Sequence, residues 1–140
     1  MSNQSSVDGP LEVLELRRRH AVAREMDAFA DLFAVDGVIE MPFAVEGLPA
    51  LLEGREAIRE FSAGASSRPL EITELRTVQL HQTLDPEVVI VELVTVGRVT
   101  TTGQPFEIPC IQVFRVRDGK IVLFRDYVGA QTVVADLLAA

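Results

Sequence analysis

Three polar side chains late in the chain, Cys110, Gln112 and Asp126, are spaced to share one face of a β-hairpin with Phe114 and Phe124. A carboxylate among phenylalanines is costly unless it is paired or used. Burial raises its pKa toward the range where it can give and take protons. Asp126 is therefore the candidate general acid or base. Its plainer role would be a partner for Arg125, Arg115 or Arg98 at a sheet edge. Gln112 can donate to and accept from a carbonyl or hydroxyl, and its plainer role is a satisfied core amide. Cys110, opposite a carboxylate, would have its thiolate disfavoured and packs as a small apolar group. Met41, Phe43, Phe61, Cys110, Phe114 and Phe124 are the candidate walls of a binding cavity.

The hairpin that aligns these residues can be built in two ways. A two-residue Asp118-Gly119 turn pairs Arg117 with Lys120. A three-residue loop with a glycine bulge pairs Val116 with Lys120. The second gives the more coherent faces, with Asp126 opposite Cys110 and diagonal to Gln112, about 7–8 Å away by ordinary cross-strand spacing. The other face then carries Ile111, Val113 and Arg115 with Ile121, Leu123, Arg125 and Tyr127.

The rest of the chain must position this hairpin. Residues 1–7 are small and polar and read as a frayed tail. Pro10 can open a helix behind Asp8 or Gly9. The apolar stripe Leu11, Leu14, Arg18, Ala21, Val22, Met26, Phe29 and Phe33 gives one long helix, or a helix with a continuation from Asp27, closed by Gly37. A short strand Val38–Met41 stops at Pro42, an apolar loop runs from Phe43 to Glu53, and a helix spans Gly54–Phe61. From Leu70 the period changes to that of strands: Leu70–Leu84, Glu87–Thr100, Phe106–Val116 and Ile121–Val128, joined by short turn sequences. The tail Ala130–Leu138 forms a weak helix. Helices followed by an antiparallel meander give a single α+β domain over residues 8–140, with the helices on one sheet face.

The 140 residues hold 48% apolar and 24% charged residues, with a net charge of −8. That balance argues for a folded domain and against nucleic-acid or anionic-membrane partners, both of which need a positive face. One cysteine forbids an internal disulfide and suits a reducing cytoplasm. No signal peptide or membrane-spanning run is visible. His20 and His81 have no acidic partner pattern, so no metal site and no cofactor are expected. Arg17-Arg18-Arg19 reads as a solvated helix face. No phosphate loop or nucleophile elbow occurs, and the lone lysine, Lys120, lies in a turn, which excludes Schiff-base chemistry.

Glu40-Met41-Pro42-Phe43, Glu53-Gly54-Arg55-Glu56-Ala57-Ile58, Asp85-Pro86, Val116-Arg117-Asp118-Gly119-Lys120-Ile121 and Phe124-Arg125-Asp126-Tyr127 resemble the SnoaL-like branch of the nuclear transport factor 2-like superfamily. The resemblance runs from about Leu11 to Leu138. It implies a curved antiparallel sheet wrapped around helices, with a conical apolar cavity. That superfamily includes polyketide cyclases, ketosteroid isomerases, limonene epoxide hydrolases and non-catalytic binders. The resemblance places the acid or base of the cyclases and hydrolases at Asp126. It places the isomerase base at Met41, the isomerase's oxyanion acid at Gln112, and its tyrosine near Arg17 or Arg18. The hydrolase arginine and second aspartate meet Leu93 and Thr95. Isomerase chemistry of the ketosteroid type is therefore disfavoured, and the hydrolase triad is incomplete.

Two functions remain. One is a cofactor-independent enzyme acting on an apolar, oxygen-bearing small molecule of polyketide or terpenoid type, by cyclisation, isomerisation or epoxide opening. The other is a non-catalytic binding or accessory domain using the same cavity. A homodimer is expected through the outer sheet face, whose apolar centre of Val94, Val96, Ile111, Val113, Leu123 and Tyr127 needs cover.

Overall fold

A computed structural model describes residues 9–139; the tail expected over 1–7 lies outside them. Helix α1 (Pro10–Ala23) starts at Pro10 behind Gly9, which has no side chain to cap it, and ends at Arg24 in a left-handed conformation. A separate short helix, α2 (Met26–Asp31), follows. The helical stripe does not continue to Phe33. That residue is fully buried at the start of strand β1 (Phe33–Glu40), and Gly37 lies within the strand instead of closing a helix. A Cβ at Gly37 would stand 2.8 Å from the carbonyl oxygen of Ile121, so only glycine lets these backbones approach.

The loop from Phe43 contains a short strand, β2 (Leu51–Glu53), and then helix α3 (Arg55–Ala65). Strands β3 (Leu70–Gln82), β4 (Val88–Val99), β5 (Pro105–Arg117) and β6 (Lys120–Val128) form the expected meander, and α4 (Gln131–Leu138) closes the chain. The result is one curved six-stranded sheet in the order β2-β1-β6-β5-β4-β3. It is mixed: β1 runs parallel to β6, a pairing between segments some eighty residues apart that no local pattern announces.

The inner face alternates as strands should. Phe106, Ile108, Cys110, Gln112, Phe114 and Val116 of β5 are all buried, and the residues between them are half-buried or exposed. Val13, Phe33, Ile58, Phe114 and Ile121 are the largest fully enclosed side chains and lock α1, α3 and the sheet together.

Two local expectations are corrected. The last hairpin uses the two-residue turn, with Asp118 (φ 53°) and Gly119 (φ 75°) both left-handed, and Arg117 pairs with Lys120. Val122 then bulges out of the ladder, so the pairs shift to Arg115 with Leu123 and Phe114 with Phe124. Asp126 consequently lies directly opposite Gln112, and Cys110 opposite Val128. The second correction is the roll of α1. Its fully buried residues are Val13 and Arg17; Leu14, Ala21 and Val22 of the expected stripe pack half-buried against the core, whereas Leu11 is exposed and Arg18 pairs with Glu15 on the helix surface. Arg17 is thus carried inward and is no part of a solvated arginine face.

Candidate functional site

Where α1 crosses the sheet, Arg17 meets the middle of the β5–β6 hairpin. Its Nη2 donates to Gln112 Oε1. Its guanidinium carbon stands 5.3 Å from the ring centres of both Phe114 and Phe124. Those rings stack on each other at 4.5 Å and 16°. A cation held over two aromatic rings and tied to an amide recovers part of its lost hydration. Burial still lowers the Arg17 pKa to about 10, against the opposing attraction of Asp126 and Cys110. The group remains a cation at neutral pH.

Asp126 stands beside this cation without an ion pair to it, among the described residues. Its Oδ1 is closed off from solvent and has no hydrogen-bond partner. Burial drives the Asp126 carboxyl above the ordinary carboxylate range, and the Gln112 amide and Arg17 guanidinium pull only partly the other way. Cys110, next along the same face, is pushed up to about 11, first by burial and then by the Asp126 charge, which leaves it a thiol.

A small cavity of about 110 Å³ touches Arg17 together with Leu14, Leu75 and Leu93, and a larger one lies elsewhere in the same interior. A chamber of about 270 Å³ opens between α1, α3, α4 and the start of β5, walled by Phe61, Thr95, Phe106, Ile108, Val134 and Leu137. Ile108 and Gln112 are a four-residue step apart on the strand, roughly 13 Å of rise. Cys110 bridges the two regions, its Sγ 4.0 Å from Thr95 Oγ1 in the chamber wall. Asp126 and Gln112 do not line this chamber.

Of the residues singled out from sequence, Asp126, Gln112, Cys110, Phe114 and Phe124 are brought together. Phe61 lines the chamber, and Met41 is buried in the core. Phe43 stands apart: it is 55% exposed, packs edge-on against Tyr127 at 5.5 Å, and lines an outer groove with Val94 and Ile111. Arg17 is the site residue that pattern reading missed. Its signal was the four-residue step from Val13, which puts both on one helix face. His20 bonds Glu25 at 2.8 Å and does not join the cluster.

This arrangement has recognisable relatives. A model of the SnoaL-like domain matches residues 15–124. The chain belongs to the SnoaL-like family. A PhzA/B-like protein of Pseudomonas aeruginosa is 38% identical to this family member over 100 residues, covering 71% of this chain and 69% of that protein. A crystal structure of an isomerase candidate from Bacillus subtilis superposes with a TM-score of 0.83 at 28% identity, covering 92% and 91% of the two chains. An LEH-like epoxide hydrolase of Mycobacterium tuberculosis superposes at 0.68 with 18% identity, covering 91% and 88%, and shares the fold alone. The fold of this SnoaL-like chain is shared with an NTF2-like protein of Anabaena variabilis, which superposes with a TM-score of 0.71 at 20% identity, covering 93% of each chain. Among the described residues, no helix is long and apolar enough to cross a membrane.

Proposed function

We propose that this protein is a small cofactor-independent enzyme in which Asp126 moves a proton on an apolar, oxygen-bearing molecule of polyketide or terpenoid type. One observation carries the reading: an enclosed carboxylate oxygen with no partner, raised in pKa, beside a buried cation. A carboxyl whose pKa is raised by burial can take a proton from carbon next to a carbonyl when ionised, or give one to an opening epoxide when protonated. Arg17 and Gln112 supply a positive charge and an amide where negative charge would develop. The isomerase candidate and epoxide hydrolase among the structural neighbours are consistent with such chemistry.

A second reading, a binding or accessory domain without turnover, is favoured by the separation of the chamber from Asp126. The test uses two probes: deuterium loss from α-deuterated 2-tetralone and hydrolysis of limonene oxide. Asp126→Asn should lower whichever rate the native protein shows by about two to four orders of magnitude, the usual range for acid–base catalysis. Its melting temperature should hold or rise. A destabilised variant with near-native turnover would make Asp126 structural. Binding of both probes with no turnover would favour the second reading.

We also propose a homodimer through the outer sheet face. Ile111 is 48% exposed at its centre, and Arg98, Arg115 and Arg125 are held back at its margins by Glu71, Glu87 and Glu40. Covering such a face about a two-fold axis buries it with one repeated contact. Sedimentation at micromolar concentration should show the dimer mass; a monomer alone would refute it.

A further inference from the structure

The chamber's charged lining is one-sided. Among the described residues, its two charged wall residues are the exposed Arg24 and the half-buried Arg68, in a chain whose net charge is −8. Most arginines here are spoken for: Arg59 faces Asp27, Asp31 and Glu56, Arg115 faces Asp85 and Glu87, and Arg125 faces Glu40. Arg24 and Arg68, among the described residues, have no carboxylate partner. Arg24 is fixed at the end of α1 by its left-handed backbone, and its Nη2 holds the Ser66 carbonyl at 2.8 Å. That contact sets it against the turn after α3 that carries Arg68. The remaining walls are apolar apart from Ser66 and Thr95.

Resting on the second reading above, a ligand held in the chamber, and naming the class of that ligand, we propose that the chamber takes an apolar molecule bearing a carboxylate, with the carboxylate held at Arg24 and Arg68 and the apolar body against Phe61, Ile108 and Val134. Guanidinium groups suit a planar carboxylate because both offer parallel donors and acceptors. The volume, at the lower end for ligand pockets, fits a one- or two-ring body.

The test compares naphthalene-2-carboxylate with naphthalene-2-carboxamide, equal in shape and different in charge, by calorimetry at pH 7 and low salt. The native protein should bind the carboxylate about tenfold more tightly, a preference that shrinks as salt is raised. Arg68→Gln and Arg24→Gln should each reduce the preference, and the double variant should remove it while still binding the amide. Asp126→Asn should keep it, so loss of turnover in that variant and loss of charge preference are independent results. Equal affinity of the native protein for both probes, or binding of neither, would overturn the proposal without bearing on proton transfer at Asp126. A preference that survives the double variant would overturn the assignment to these arginines.

Discussion

Gln112 and Ile108 lie two inward-facing positions apart on β5, yet they serve opposite kinds of interior. Around Gln112 the space is mostly filled, with a cavity of about 110 Å³ reaching its partner Arg17. Two stacked rings, a guanidinium, an amide and a carboxyl leave one oxygen without a partner. Around Ile108 there is room, and polarity is confined mostly to the rim. Polar groups enclosed away from bulk solvent are raised in energy, whereas open apolar space makes burial of a ligand favourable. Proton transfer and ligand capture thus occupy neighbouring regions, with Cys110 and Thr95 as the wall they share.

The largest effect should come from Arg17→Met, which fills similar space without charge. It leaves Gln112 Oε1 without its donor and Asp126 without the nearby cation. Removing one member of a buried polar set costs about 3 kcal/mol or more, measurable by urea unfolding. Adding Asp126→Asn should return part of that loss, because the two groups interact. Strict additivity in the double-mutant cycle would break the idea of a coupled cluster.

A smaller effect of opposite sign is expected in the chamber. Ala21, on the wall formed by α1, faces existing space. Ala21→Leu should therefore raise stability by about 0.5–1 kcal/mol while displacing the naphthalene probes. A loss of stability would show that the chamber is already tightly packed there.

The two regions also differ in how far sequence revealed them. Alternation along β5 was enough to put Cys110, Gln112 and Phe114 on one face, because a strand's period is short and local. The same logic placed Asp126 inward but misaligned it by one pair. The compensating bulge at Val122 depends on packing that only the sheet supplies. Arg17 was hidden because a long cationic side chain reads as solvent-facing, and its burial needs an acceptor and two rings contributed from about a hundred residues away. The pairing of β1 with β6 failed for a similar reason: Phe33 continues a helical spacing, and a parallel partner overrides it. Phe43 was drawn outward by Tyr127, a contact no spacing encodes.

The account turns on the state of Asp126. Its carboxyl is raised above its ordinary value near 3.8, so the native chain holds the proton more tightly than the unfolded chain. Stability should then fall as pH rises from about 3.8 until the native carboxyl itself ionises, and remain level above that point unless other groups titrate. Asp126→Asn should remove that component of the slope. The most direct measurement is a carbon NMR titration of the protein labelled at aspartate carboxyl carbons, with Asp126→Asn assigning the signal. The account predicts a midpoint clearly above that of the exposed aspartates. A midpoint at or below theirs would mean that Arg17 holds Asp126 as an ordinary carboxylate, and the proton-transfer site would be wrong.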